Sequence, residues 1–511
     1  MNSLLVPYLR GTSTRGLVPS LYVSGIVVTA AFSLGEAKHL YDIGDLILFG
    51  AILVPSLALC LLPLMDARRE RTPWLDPFVI LALLYLLAYQ VPGLVFLLDG
   101  GGSGFFARIM WVSRHDLIRS YTFTLFLALV GWTIVLGLQD AEGLTSHSSR
   151  ERPIAKKPSY STSTIVVMGT LVVVAGTYSL LRLYGGMLEF LALLSVRVAS
   201  RSEGFGEGTY ALIKLVDVLP YGLIWLLSPA LGKRSDHFHL GRTMAWITVF
   251  IVGVLIFGRS GGRKEMALFV LQWIYIYHFL SGKSLPRVAN YVVVIFVVIG
   301  VFLIGSLRSI GPYGLDVLAL DNVLQVPYDR TIGLELDKLG MSAWAIDVFS
   351  GGYFGLLWGE SLLVGPVLWV NSWAGFIGLG ELIDFQPLSL NSYLGIWEMN
   401  DPTFTARSTS LLAEGYANFG LVGVIGFYLV CGLILRKMRK AYMDHSNVVA
   451  ATLYCSLYTI VVFAVVQSGL GGMLSRILFS WLPLAVSYVV AKPFMATHFS
   501  PATEHKAVSL Q

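Results

Sequence analysis

The chain has 511 residues, of which 55% are hydrophobic and only 13% carry a charged side chain. Soluble proteins carry about a quarter of their residues as Asp, Glu, Lys or Arg, so this composition excludes a soluble globular enzyme, a disordered chain and a nucleic-acid-binding protein. The formal net charge is only +5. The three cysteines, Cys60, Cys431 and Cys455, lie inside apolar runs, which indicates neither a disulfide framework nor a zinc site. The sequence predicts an all-α polytopic membrane protein.

Twelve apolar stretches approach the length of about 17–25 residues that crosses a hydrocarbon core about 30 Å thick. Each is predicted to be a helix, because a helix satisfies its own backbone polar groups in lipid. The stretch 209–231 is interrupted by Lys214 and Asp217, and the stretch 411–436 carries Glu414 near its beginning. In chain order the predicted spans are 17–34, 43–65, 77–98, 121–138, 163–184, 209–231, 240–258, 263–281, 288–306, 411–436, 448–468 and 472–491.

Short loops rich in Lys and Arg follow the even-numbered spans, which places those loops and both termini in the cytoplasm. The opposite side then holds the long connections, and the segment 307–410 is the largest of them. We expect interfacial helices in it around 352–372, where Trp358, Trp369 and Trp373 suit the membrane boundary. The predicted organisation is residues 1–306 with nine spans, 307–410 as a large outer loop, 411–491 with three spans, and 492–511 as a cytoplasmic tail.

The predicted outer loops are biased towards arginine, although positive charge outside opposes the topology rule. Arginine binds phosphate and carboxylate groups with two parallel hydrogen bonds, so the set indicates a cavity for an anionic ligand such as a lipid diphosphate. Taken singly, each arginine is better explained by pairing with lipid headgroups or with outer acids such as Glu189, Asp316 and Asp347. The set is Arg108, Arg114, Arg119, Arg182, Arg197, Arg201, Arg259, Arg263, Arg308, Arg330 and Arg407, against Lys38, Lys264 and Lys338.

A glycine–arginine hairpin, Gly258-Arg259-Ser260-Gly261-Gly262-Arg263, joins the seventh and eighth predicted spans. Its glycines allow a close approach of the backbone to a ligand, and its N–H groups begin the next helix, where the helix dipole favours an anion. The hairpin is therefore either a diphosphate site or a tight connector whose arginines mark the membrane interface.

A second constellation closes the outer loop and opens the tenth span. Ser408 or Thr409 is predicted to cap this helix, with Glu414 about two turns further in. An acidic residue just inside a membrane span indicates a functional site, and the alternative is a salt bridge to Arg407 or Arg476. The run reads Thr405-Ala-Arg-Ser-Thr-Ser-Leu-Leu-Ala-Glu-Gly-Tyr-Ala-Asn-Phe-Gly-Leu-Val-Gly423.

On these residues the chain resembles the Wzy-type polymerases of O-antigen and capsular oligosaccharide repeat units. The resemblance covers mainly residues 250–435 and rests on three features. These are the Gly258–Arg263 hairpin, the large outer loop before the third-last span, and the acidic–aromatic–Asn-Phe-Gly stretch of 412–423. The related O-antigen ligases tend to carry an Arg-His pair where this chain has Arg407-Ser408, which favours a polymerase.

The resemblance implies a GT-C-type glycosyltransferase of the bacterial inner membrane, with its active site facing the periplasm. Its substrates would be an undecaprenyl-diphosphate-linked glycan donor and a lipid-linked acceptor, with a flippase and a chain-length regulator as further partners. Neither a metal nor a cofactor is expected, because arginines neutralise a diphosphate leaving group. We expect Glu414, Arg407 and Arg259 to be catalytic and Arg263, Arg308, Arg197, Arg201 and Arg330 to bind diphosphate.

Two other functions remain open from the sequence. An O-antigen ligase would use the same cavity to pass the glycan to lipid A core or to a protein. A lipid-linked oligosaccharide flippase or transporter also commonly has twelve spans, but a transporter typically carries charge within its spans and shows internal repeats. This sequence concentrates charge in its outer loops instead.

Overall fold

The computed structural model describes residues 42–70, 77–98, 114–143, 162–186, 209–232, 239–258, short stretches between 269 and 277, 337–400, 409–444 and 448–496. Within these ranges every regular element is a helix. The described helices are α1 (Asp42–Glu70), α2 (Pro77–Tyr85), α3 (Val91–Leu98), α4 (Arg114–Gly143), α5 (Thr162–Tyr184), α6 (Thr209–Asp217), α7 (Leu219–Gly232), α8 (His239–Gly258), α9 (Lys338–Ser350), α10 (Glu360–Phe376), α11 (Leu390–Met399), α12 (Leu411–Asp444), α13 (Val448–Phe463), α14 (Gly469–Arg476) and α15 (Leu482–Ala496).

Seven of the predicted spans coincide with stretches that are long and apolar enough to cross a membrane, so the prediction of a helical polytopic membrane protein is confirmed. The seven are Gly44–Met65, Phe78–Leu98, Asp116–Gln139, Thr164–Tyr184, Ala211–Ser228, Leu411–Met438 and Gly469–Val490. Two further predictions, 240–258 and 448–468, match the shorter apolar helices Thr243–Phe257 and Thr452–Val466. The predicted spans 17–34 and 288–306, and most of 263–281, lie outside the described residues.

Several of these spans are not continuous α-helices. A π-helical segment of five residues, Leu86–Gln90, joins α2 to α3. Two more π-helical segments, Ala464–Ser468 and Ile477–Trp481, follow α13 and α14. The span 209–231 is broken between α6 and α7. Lys214 and Asp217, at the end of α6, form an ion pair of 3.1 Å. Pairing lowers the cost of placing both charges near the apolar bundle.

The centre of the bundle is formed by α1, α2, α4 and α12. Trp132 of α4 stacks on Tyr85 of α2, and the Tyr85 hydroxyl donates to the carbonyl oxygen of Ala128 at 2.6 Å. Gly131 lies against the ring of Tyr428 from α12, where a Cβ would be 2.6 Å from two ring carbons. Small residues thus allow aromatic side chains to fill the space between the spans.

A second pair of helices, α5 and α7, packs at close range through glycine. A Cβ at Gly169 would lie 2.8 Å from the Cα of Leu226 and 2.9 Å from the carbonyl oxygen of Gly222. Gly176, seven residues further along α5, lies on the same helix face and contacts Leu219 and Leu215. Membrane helices associate in this way when small residues let their backbones approach.

The helix α9 belongs to the segment that was predicted to be an outer loop, yet it is buried within the bundle. Eleven of its 13 residues are buried, and it packs against α4 and α12. The Ser120 hydroxyl of α4 donates to the carbonyl oxygen of Ala343 at 3.3 Å, and Ser342 and Ser410 share a hydrogen bond of 2.7 Å. Part of the region between the ninth and tenth predicted spans is therefore core structure.

Candidate functional site

The helix α12 is interrupted inside the membrane-spanning stretch. Phe419 has φ −140° and ψ 20°, and Gly420 has φ 61° and ψ −144°, so both leave the helical conformation. Residues eight apart in an unbroken α-helix are separated by about 12 Å along its axis. Here a Cβ at Gly415 would lie 3.0 Å from the carbonyl group of Gly423, because the two halves fold onto each other. The break therefore creates a short half-helix, 411–418, followed by the main span.

The beginning of this half-helix corrects two details of the sequence analysis. The cap is Ser410, not Ser408 or Thr409, because the Ser410 hydroxyl oxygen accepts the Ala413 N–H at 3.2 Å. Glu414 lies in the first helical turn, not two turns in, and its N–H donates to the Ser410 carbonyl at 3.0 Å. The helix begins at Leu411, where the predicted span begins, and the Ser410 hydroxyl also shares a hydrogen bond with Ser342 of the buried helix α9.

The carboxylate of Glu414 is buried, with 4% of the residue exposed, and it lies where three elements meet. The Ser361 hydroxyl donates to one carboxylate oxygen at 3.0 Å, and the Gly471 N–H donates to the other at 2.9 Å. Ser361 is the second residue of α10 and Gly471 is the third residue of α14. Both helices begin near the carboxylate: α10 contributes a side-chain hydroxyl group, and α14 contributes a backbone N–H of its first turn, which the helix leaves without an internal partner.

Asn418, the last residue before the break, organises the same site. Its side-chain nitrogen donates to the Ser361 hydroxyl oxygen and to the Glu414 carbonyl oxygen, each at 2.8 Å. Its side-chain oxygen accepts the Gly359 N–H at 3.0 Å. Two of these three bonds hold Gly359 and Ser361, at the beginning of α10, against the broken helix, and the third lies within the half-helix itself. Sequence analysis assigned no role to Asn418, Ser361 or Gly471, although the Asn-Phe-Gly run in an apolar stretch was a signal for a break.

Two glycines permit the close approach of α14 to the carboxylate. Gly469 has φ 64°, a conformation that only glycine adopts easily. A Cβ at Gly471 would lie 2.7 Å from a carboxylate oxygen of Glu414 and 2.7 Å from the carbonyl oxygen of Ser361. The absence of side chains at Gly469 and Gly471 therefore leaves the space that the Glu414 side chain occupies.

The arginines predicted to be catalytic or to bind diphosphate are not among the described residues. The two catalytic candidates Arg259 and Arg407, and the five diphosphate candidates Arg263, Arg308, Arg197, Arg201 and Arg330, all lie outside the described ranges. Two other outer arginines do have described partners. Arg119 lies 3.8 Å from the Asp45 carboxylate, and Arg182 donates to the Tyr178 hydroxyl at 3.3 Å. The contact of Arg119 with Asp45 fits the explanation by acidic partners, whereas the described partner of Arg182 is a neutral hydroxyl group on its own helix.

Within the described ranges, no group of three or more His, Cys, Asp and Glu side chains is placed to hold a metal ion. The partners described for the Glu414 carboxylate are the Ser361 hydroxyl group and the backbone amides of Leu470 and Gly471, all neutral donors. The site as described is therefore a single buried acid at the convergence of a broken helix and two helix N-termini.

The fold and this site define a helical polytopic membrane protein with an acidic residue at an interrupted span. Comparison of the chain with protein-family models, with curated proteins and with solved structures finds no match.

Proposed function

We propose that this protein polymerises oligosaccharide repeat units, by transferring a growing glycan from undecaprenyl diphosphate onto an incoming lipid-linked repeat unit. The observation that supports this most directly is the position of Glu414. The stretch 412–423, which carries the resemblance to the Wzy-type polymerases, is the stretch that breaks its helix and presents a buried carboxylate. An acidic residue within a membrane span is rare outside functional sites.

In the proposed reaction, the bond between the anomeric carbon of the growing glycan and the diphosphate oxygen breaks. A hydroxyl oxygen of the acceptor sugar bonds to that carbon, and its proton goes to the Glu414 carboxylate as general base. Undecaprenyl diphosphate leaves with the bonding electron pair. Ser361 and Gly471 fix the orientation of the carboxylate, so that its geometry is set before the acceptor binds.

Arginines stabilise the leaving diphosphate in this proposal, so the reaction needs no metal. We assign this role to Arg259 and Arg407 first, and to Arg263, Arg308, Arg197, Arg201 and Arg330 as further diphosphate ligands. The enzyme would reside in a bacterial inner membrane, with both termini in the cytoplasm and its active site facing the periplasm. A flippase would supply the lipid-linked units, and a chain-length regulator would act on the same product.

The test uses purified protein with a synthetic undecaprenyl-diphosphate repeat unit, a chelator and no nucleotide sugar. We expect a ladder of lengthening products, which Arg259→Ala, Arg407→Ala and Glu414→Gln each reduce by about a hundredfold or more, the scale for loss of a general base or charge-stabilising group. Arg182→Ala is the matched control, because this exposed arginine contacts Tyr178 on its own helix. A ladder that is unchanged in folded Arg259→Ala, Arg407→Ala and Glu414→Gln would overturn the residue assignment, and the absence of any ladder would overturn the function.

A second candidate, a transporter of lipid-linked oligosaccharides, is favoured by one specific observation. Interrupted membrane helices commonly form the substrate sites of transporters, and this chain has interruptions at Phe419–Gly420 and at Ser468–Gly469. Reconstitution into vesicles with the same lipid-linked unit separates the candidates. Movement of the lipid across the bilayer without elongation indicates transport, elongation indicates polymerase, and transfer only when a lipid A core acceptor is added indicates a ligase.

A further inference from the structure

The loop before α10 holds a tryptophan in a conformation that bulky residues rarely adopt. Trp358 has φ 48°, one of two non-glycine residues with positive φ in the described part of the chain. Its side chain is 75% exposed, so burial of the indole ring does not offset the steric strain of its backbone. Strain of this kind in an exposed residue is typical of a functional position.

Backbone hydrogen bonds to the broken helix hold this strained residue in place. The Leu357 N–H donates to the Ala417 carbonyl at 2.9 Å, and the Trp358 N–H donates to the Asn418 carbonyl at 3.1 Å. The next N–H, of Gly359, donates to the Asn418 side chain. Three consecutive residues are therefore fixed to the end of the half-helix that carries Glu414.

The indole ring and the buried carboxylate share one rigid support. Ser361 follows Trp358 by three residues, and its hydroxyl group donates to Glu414. On the other side of the break, the ring of Phe419 lies 6.4 Å from the ring of Trp358, at an interplanar angle of 73°. The two rings form an aromatic corner at the break, where the half-helix that carries Glu414 ends.

We propose that Trp358 and Phe419 form the subsite for the acceptor sugar, an inference that rests on the proposed function. A hexose has an apolar C–H face that stacks on an aromatic ring and a polar edge that stays free for hydrogen bonding. Trp358 is assigned to the acceptor sugar, not to the donor, because the acceptor hydroxyl must reach the Glu414 carboxylate. An aromatic residue that only anchors the protein at the membrane interface does not require a strained backbone that is fixed by hydrogen bonds.

The first measurement is the KM of each substrate in a single-addition assay. The donor is an undecaprenyl-diphosphate repeat unit blocked at its non-reducing end, so it cannot act as acceptor. The acceptors are octyl glycosides of glucose, galactose, N-acetylglucosamine and rhamnose, which carry no diphosphate and cannot act as donors. We expect Trp358→Leu and Trp358→Gly to raise the acceptor KM by roughly tenfold, as the loss of one aromatic stack predicts, with an unchanged donor KM. Trp358→Phe should retain most of the affinity.

Thermal stability separates a sugar site from a structural role. Glycine tolerates positive φ, so Trp358→Gly should melt at or above the wild-type temperature while it loses acceptor affinity. Phe385→Leu is the matched control, because Phe385 is also an exposed aromatic residue (52%) but has no positive φ. This control should leave both KM values unchanged.

The outcomes distinguish this inference from the proposed function. An active wild-type enzyme whose acceptor KM is the same in Trp358→Gly and Trp358→Leu would overturn the subsite and leave the polymerase intact. A change in donor KM alone would overturn it as well. If the wild type makes no product, calorimetric titration of the octyl glycosides still decides the subsite. Binding that is lost in Trp358→Gly supports it without the polymerase, and the absence of such a difference overturns it.

Discussion

The Glu414 carboxylate accepts the backbone N–H of Gly471 at 2.9 Å, across 57 positions of sequence. This bond joins the half-helix before the break in α12 to the first turn of α14. Ser361 joins the same carboxylate to α10, so one acidic side chain connects three elements that contribute no charged partner to it among the described contacts. The arrangement makes Glu414 a structural junction as well as the candidate base, and the two roles call for separate measurements.

The structural role predicts a measurable coupling between Glu414 and Ser361. We expect Glu414→Gln to lower the free energy of unfolding by about 1–3 kcal/mol, because a side-chain NH2 then faces donors in a buried site. Ser361→Ala should cost about as much, and the double variant should cost less than the sum of the two. Unfolding in detergent, followed by tryptophan fluorescence, measures the cycle. Glu381→Gln, at an exposed position, is the control, and strictly additive effects would show that the two side chains are not coupled.

The fold of the broken helix depends on the absence of a side chain at Gly423. A Cβ there would collide with the carbonyl oxygen of Gly415 and lie 3.0 Å from the Cβ of Phe419. We expect Gly423→Ala to destabilise the protein by about 2 kcal/mol or more, as overpacking does. Gly426→Ala, in the same helix and with open space around its Cβ position, should be neutral or stabilising by about 1 kcal/mol. Equal melting temperatures for the two variants would contradict the folded-back geometry.

The pairing of α5 with α7 predicts a similar contrast. Gly169→Ala places a methyl group against the backbone of Leu226 and forces the two helices apart. We expect a fall in apparent melting temperature and a lower yield of monodisperse protein, because membrane helices lose packing when a small residue is enlarged. Gly137→Ala in α4 has nothing within 4 Å of its Cβ position and is the control. A Gly169 variant as stable as the control would place this contact in doubt.

Asp337, at the N-terminus of α9, predicts a pH-dependent stability. Burial raises the pKa of Asp337 from 3.8 to about 6, although the Gly340 N–H and the charge of Lys338 lower it. Because the folded state holds this proton more tightly, the contribution to stability is present in full below pH 3.8 and is lost as pH rises to about 6. The shift of roughly two units corresponds to about 3 kcal/mol.

The comparison that isolates this effect is Asp337→Asn, since Asn also caps helices well. The difference in unfolding free energy, wild type minus variant, should fall between pH 4 and pH 6 and stay constant above pH 7. Other titrating groups cancel in this difference. A difference that stays flat with pH would show that Asp337 titrates alike in the folded and unfolded chains.

The sequence predicted the seven spans found among the described residues, because the thickness of the bilayer sets the length of an apolar run. It did not predict continuity within a span. Residues 411–436 were predicted as one helix. The Asn-Phe-Gly run was a local signal for a break, but the tertiary bonds of Asn418 to Gly359 and Ser361, which stabilise the break, cannot be predicted from hydropathy. Similarly, Glu414 was identified as a candidate from its position in a span, but its partners Ser361 and Gly471 come from distant segments that hydropathy does not relate.

The helix α9 was not separated from the outer loop in the sequence, for a related reason. Its residues Lys338, Ser342 and Asp347 give it a mixed polarity, and mixed polarity normally indicates a solvent-exposed segment. Inside the bundle the Ser342 hydroxyl shares a hydrogen bond with Ser410, and the Ser120 hydroxyl donates to the backbone carbonyl of Ala343. The role of the outer arginines in binding diphosphate, in contrast, remains a prediction from the sequence.

The burial of α9 also has a consequence for how the protein is made. Helix α4 emerges from the ribosome some 200 residues before the helix that covers part of its surface. Until then the α4 surface that receives Ala343, together with its neighbours, has no final partner, and Ser342 cannot yet meet Ser410. The early spans are therefore inserted into the membrane before their packing is complete. The core can finish folding only after the last third of the chain has been synthesised.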